Sequence, residues 1–245
     1  MGVDVFLIGY DDADWSAFPW FPRIKFLREA GAKYALARKH IPDIAALGYT
    51  HVFLWDEDAL LRPAFDAAAL LALLQALPAV GIGAPFVVAN PHFMGEPEYV
   101  AAATAASGDA VHAVRATPEM MFPVYSARSW ACVASRLVDD RSPENWGVDA
   151  ARAGCLCKDA SNNVAEGGQI IFMHPAFAVD HGNAQSMASS FNEARARAGE
   201  DLILDKLKAR FPDDWQQCFD AGNAMREKLP LLNEVQGYCI DVKRR

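Results

Sequence analysis

Basic residues are in short supply in this chain: 23 Lys and Arg face 31 Asp and Glu, a formal net charge of −8 with an isoelectric point near 5.2. The basic side chains are scattered, and no stripe of them is present to neutralise a phosphate backbone, which excludes a nucleic-acid binder. Long apolar runs are missing as well. The stretches 67–80 and 82–88 are interrupted by Gln75, Pro78, Gly81 and Pro85 and fall short of the roughly 20 residues a membrane-spanning helix needs. No signal peptide is expected ahead of Val3. Cysteine is sparse and odd in number, at Cys132, Cys155, Cys157, Cys218 and Cys239, so a disulfide framework is not expected, while one bridge stays open. The pair Cys155 and Cys157 lacks the second pair that a structural zinc site requires.

What remains is ordinary globular material, 245 residues with 52% hydrophobic and 22% charged content, enough for one soluble domain with a sizeable core. Val3 to Gly9 reads as a buried strand ending at Tyr10-Asp11-Asp12. Pro22 to His40 reads as a helix that Pro42 ends. A strand from Thr50 to Trp55 follows, then a helix from Ala64 to Leu77 and a strand from Val80 to Val88. That β-α-β-α-β order favours a parallel sheet with right-handed crossovers. Asn90 to Asp109 reads as a surface excursion. Ser126 is placed to cap a helix over Ala127 to Leu137, a second helix opens near Trp146 to Asp149, and a strand over Gln169 to Met173 leads to a loop with Asp180 and His181. From Ser189 the pattern is that of a charged, amphipathic helical pair.

The segment carrying most information is Tyr49 to Asp58, an apolar strand that ends in Asp56-Glu57-Asp58. Side chains alternate along a strand, so Asp56 and Asp58 can point the same way at its carboxyl end while Glu57 points away. Paired carboxylates there form a seat for a divalent cation carrying a phosphorylated ligand. The plain alternative is a strand followed by a capping Asp and a solvated turn.

Four blocks then carry a resemblance: Pro42-Asp43-Ile44 with Tyr49 to Asp58, Glu119 to Ser126, Trp146-Gly147-Val148-Asp149, and Asn163-Val164 leading to His174-Pro175. In this order they resemble the "domain of unknown function 707" family of plants and algae, whose fold looks like that of GT-A glycosyltransferases. The resemblance covers about residues 3–183. It implies a mixed, mainly parallel α/β sheet flanked by helices over 1–183, with 184–245 a helical extension packed on the same domain. Family members carry a further strand, and often a membrane anchor, ahead of the segment that starts here at Val3. The expectation is therefore a chain short of part of its donor pocket, and a Golgi-type lumenal setting.

The resemblance implies a metal-dependent glycosyltransferase that takes a UDP- or GDP-sugar and a glycan or other hydroxyl acceptor. Asp58 would ligate Mn²⁺ or Mg²⁺, Asp56 would meet the metal or the ribose, and His174 would complete the shell, tilting the choice towards manganese. His181 is the weaker candidate. Asp149 at a helix start would be the catalytic base of an inverting displacement, with Glu119 the second choice; helix capping is the structural alternative for Asp149. Asp11 and Asp12 are placed to touch base or ribose, with Tyr10 stacking, against the plain alternative of a solvated loop after the first strand. One of Lys33, Arg38 and Lys39 is placed to reach the diphosphate, the others forming a solvated helix face. Trp146 is suited to stacking on a pyranose, against a core role. Two other classes stay open: a non-catalytic GT-A-like binding module, and a metal-dependent nucleotidyltransferase or phosphohydrolase.

Overall fold

The computed structural model describes residues 4–9, 12, 14–56, 59–76, 82–88, 112–115, 121–139, 141, 169–173, 175–181, 193–213, 215–216 and 231–232. The strands are β1 (Phe6–Gly9), β2 (Lys25–Arg28), β3 (His51–Phe53), β4 (Ala59–Leu61), β5 (Ile82–Val88), β6 (His112–Arg115), β7 (Val124–Ser126), β8 (Gln169–Met173), β9 (Ala178–His181) and β10 (Leu231–Leu232). The α-helices are α1 (Lys33–His40), α2 (Ala67–Ala76), α3 (Ala127–Cys132) and α4 (Glu193–Arg210).

The main sheet runs β10-β6-β8-β5-β7-β3, with β9 on β5 and β4 on β9, and β1 and β2 form a parallel pair of their own. Among the described residues the sheet is mixed rather than mainly parallel. β5 is parallel to β8 and β9, and the other five pairings outside the β1–β2 pair are antiparallel. Strands β3 and β5 do run the same way, as a β-α-β reading demands, because each is antiparallel to β7. What periodicity does not report is that β7, coming later in the chain, inserts between them.

Strand β5 changes partners along its length. Residues Ile82 to Pro85 pair with β8, and Phe86 to Val88 pair with β9. Pro85 is the last residue of β5 paired with β8, opposite Phe172.

Alternation along β7 and β3 sets the layers. Tyr125 packs with Tyr34, Leu54, Trp130, Leu137, Ile203 and Leu207, whereas its neighbour Val124 packs with Leu70, Leu73, Leu74 and Phe177. Successive strand residues face opposite ways, so α1, α3 and α4 cover one face of the sheet and α2 the other. The same parity continues in the chain leaving β3, where Val52 and Leu54 join the first cluster and Phe53 and Trp55 the second. The C-terminal extension thus contributes Ile203 and Leu207 to the main core.

Two local expectations are corrected. The helix expected over Pro22 to His40 is confined to Lys33–His40, and Lys25–Arg28 is a strand paired in register with Phe6–Gly9. Gly31 separates the two, and a side chain there would press on Leu36 within about 3.0 Å. Glycine at position 9 likewise makes room for the Phe26 ring, 3.1 Å from where a Cβ would stand. Asp180 and His181 lie in β9 rather than in a loop, and Arg62 grips Asp180 with two hydrogen bonds of 2.9 and 2.8 Å. Ser126 caps α3 as its sequence implies, accepting from the Ser129 amide. The helix then widens into a π-turn over Val133–Leu137. Cys132 is disulfide-bonded, which realises the single bridge left open; its partner lies outside the described residues.

Candidate functional site

The carboxyl ends of β1, β2 and β3 are where an α/β sheet places its ligand crevice. Asp56 lies just past β3, three residues beyond Phe53. Its amide donates to the Met121 carbonyl at 3.0 Å, prolonging the contact with the chain that enters β7. By strand parity Asp56 should face the α1 layer, with Val52 and Leu54. It does: Lys33, the first residue of α1, places Nζ 2.8 Å from Asp56 Oδ1. The same ammonium donates to the Met121 carbonyl at 3.3 Å and lies 5.5 Å from the centre of the Tyr34 ring.

Helix electrostatics explains part of this pairing. A lysine at the first position of a helix sits at the positive end of the macrodipole, the unfavourable place for a cation. Ala32 gives no side-chain cap, and Asp56 supplies the negative charge that this end of α1 lacks. Both side chains remain partly open, 21% exposed for Lys33 and 30% for Asp56, so a small ligand can reach them.

Asp12 is fully exposed past the end of β1, 3.3 Å from Arg28 Nη1 at the end of β2. Gly9 and Arg28 are register partners, and Glu29 donates its amide to the Gly9 carbonyl at 3.0 Å. Just beyond, Asp14 caps the short 3-10 turn Trp15–Ala17, accepting from the Ser16 hydroxyl and amide, which lowers its carboxyl pKa. Two ion pairs thus lie past strand ends, Asp12–Arg28 beyond the β1–β2 pair and Lys33–Asp56 beyond β3.

Of the three cationic candidates on α1, Lys33 is found at Asp56. Arg38, five residues on and rotated by about 140°, donates to the Val138 carbonyl at 2.8 Å. Lys39 pairs with Glu29, as does His40 at 2.8 Å. Tyr10, Asp11, Asp58, Glu119, Trp146, Asp149 and His174 lie outside the described residues; for His181 the description covers its place in β9 and not its side chain.

Two contributors went unread in the sequence. Arg28 was absorbed into the over-long helix; recognising the strand Lys25–Arg28 would have marked it as a basic residue at a strand's carboxyl end. The Met121 carbonyl, which accepts from both Lys33 and Asp56, is a backbone group with no sequence signal. The Met121 side chain packs against the cluster of Phe122 and Val179.

Among the described residues no group of three His, Cys, Asp or Glu side chains is placed to hold a metal ion. The oxygen chemistry of Asp56 suits a hard divalent cation, but at Oδ1 such a cation competes with the Lys33 ammonium.

No protein-family model, no curated protein and no solved structure matches the chain.

Proposed function

We propose that the crevice at the carboxyl ends of β1 to β3 binds a nucleoside-diphosphate sugar, and that the chain transfers the sugar to a hydroxyl acceptor. The observation that supports this reading best is the Lys33–Asp56 pair, partly open and braced by the Met121 carbonyl. An ammonium held beside a carboxylate is poised to turn onto a phosphate oxygen, which frees the carboxylate to accept from a ribose hydroxyl. Arg28 offers a second cation for the diphosphate, and Asp12 a second acceptor for the ribose.

If Mn²⁺ or Mg²⁺ takes part, Asp56 would hold it together with Asp58 and His174, and the ion would neutralise charge on the departing diphosphate. Asp149 serves as the base that takes the acceptor proton, with Glu119 the alternative, and Trp146 stacks on the sugar; a Golgi-type lumen is the setting that the family resemblance implies. A second reading, a non-catalytic nucleotide- or carbohydrate-binding module, is favoured by the ammonium already seated on Asp56. A nucleotidyltransferase or phosphohydrolase would use the same acids.

Calorimetric titration of the full chain with UDP- and GDP-sugars, with and without Mn²⁺, tests the proposal. Binding that weakens about tenfold or more in Lys33→Met and Asp56→Asn is expected, since each removes a charge-assisted contact. Absence of any nucleotide binding by the folded chain would sink it. Binding without turnover on any acceptor selects the module, and hydrolysis without transfer selects the phosphohydrolase.

A further inference from the structure

Between β1 and β2 the chain makes two successive 3-10 turns, Trp15–Ala17 and Phe21–Arg23, and turns two large rings outward. Phe18 and Trp20 stack on each other, centroids 5.2 Å apart and planes 19° from parallel. They are 44% and 41% exposed. Such exposure of two large rings in mutual contact is uncommon on a soluble surface and marks a contact site. The pair is held in place. Amides of Phe18, Phe21 and Ile24 donate to the carbonyls of Trp15, Phe18 and Phe21 at 3.0 to 3.2 Å, and Pro19 and Pro22 fix their own φ angles. Little ordering entropy is left for a ligand to overcome.

The platform adjoins the carboxyl end of β1. Trp15 contacts both rings, with centroids 5.9 Å from Phe18 and 6.3 Å from Trp20. Its Nε1 stands 3.6 Å from where a Cβ of Gly9 would be, and Gly9 is the last residue of β1. Arg28 and Asp12 lie at that same strand end.

Charge discriminates between occupants. Over residues 12–29 the acids Asp12, Asp14 and Glu29 balance the bases Arg23, Lys25 and Arg28, three against three. An anchor for an anionic bilayer or polyanion needs a basic excess, and none is present. Flat ring faces in a segment carrying both acids and bases suit a neutral sugar, whose axial C–H groups pack on a π-face while its hydroxyls can meet carboxylate or guanidinium.

We propose that the Phe18–Trp20 stack is a binding platform for a neutral pyranose chain, leading it to the carboxyl end of β1. Its role as an acceptor subsite rests on the transferase reading; the binding does not.

Affinity electrophoresis of the full chain through gels containing hydroxyethylcellulose, xyloglucan, galactomannan or arabinogalactan tests it, without nucleotide or metal. Retardation by at least one polysaccharide is expected, weakened about tenfold in Phe18→Ala/Trp20→Ala, which removes two ring contacts, and retained in Trp20→Phe. Leu60→Ser, an exposed apolar residue on β4, should leave retardation unchanged. No retardation across the panel would overturn the proposal, as would equal retardation of the double variant. Ring-dependent binding to phosphatidylcholine vesicles in place of the polysaccharides would overturn it too and assign the rings to lipid. Retardation in a chain that binds no nucleotide sugar would leave the platform standing and remove the transferase reading.

Discussion

Lys33 and Asp56 lie 23 positions apart in the chain and meet at 2.8 Å, with the Met121 carbonyl accepting from both the ammonium and the Asp56 amide. The contact joins the start of α1 to the end of β3.

Removing either charge takes an ion-pair contact from the other, which stays partly buried. Lys33→Met and Asp56→Asn are each expected to cost about 1–2 kcal/mol, and the double variant less than the sum. Urea melts of the four proteins give the coupling; strict additivity would show that the pair contributes nothing.

A buried pair of hydroxyls supports this contact from below. Tyr34 and Tyr125 share a 2.8 Å hydrogen bond with both rings in the core. Phenylalanine at either position removes this hydrogen bond, and a loss of about 1 kcal/mol is expected. Replacing both should recover part of it, which thermal melts will read.

Asp139 gives the chain an acid-sensitive joint. Hydrogen bonds from Arg141 first, then Lys206, hold its carboxyl well below the usual carboxylate range. A depressed carboxyl pKa stabilises the fold above the unfolded value of about 3.9 and loses that contribution as pH falls below it. Asp139→Asn should therefore cost about 1–3 kcal/mol at pH 7 and flatten the acid limb of the stability curve between about pH 4 and pH 2. An unchanged limb would reassign the acid sensitivity elsewhere.

His51 acts in a neighbouring window. Burial lowers its pKa, so below about pH 6.5 the unfolded chain takes a proton that the folded chain refuses. Stability falls as pH drops from about 6.5 towards the lowered folded value and levels off beneath it. An NMR titration of the His51 ring should show a midpoint under that of a free histidine; a midpoint at or above it would contradict the burial.

Reduction of the Cys132 bridge should lower the melting temperature, by the equivalent of about 2–4 kcal/mol. Melts with and without dithiothreitol, repeated on Cys132→Ser, separate this bridge from other effects of the reductant.

Legibility in the sequence followed the range of the forces involved. The cap at Ser126, the helix over most of Ala64 to Leu77 and the strand Gln169 to Met173 are short-range matters of propensity and hydrogen bonding, and each is where the residues imply. Even the direction of Asp56 towards α1 follows from strand alternation. The strand Lys25–Arg28 was hidden because its pattern, exposed at both ends and half-buried between, matches neither a clean alternation nor a helix. Its identity comes from pairing with β1. Insertion of β7 between β3 and β5 is likewise a long-range choice, and the carbonyl of Met121 acquires its role from a fold that no residue type announces.

The division of β5 has a consequence for how the molecule opens. Residues Ile82 to Pro85 bond to β8 and Phe86 to Val88 to β9, so the β4–β9 pair can part from the sheet by breaking the second set alone. Amide exchange should report this as two levels of protection, the amides of β4 and β9 exchanging ahead of those of β8; a single shared rate would show that the two halves of β5 open together.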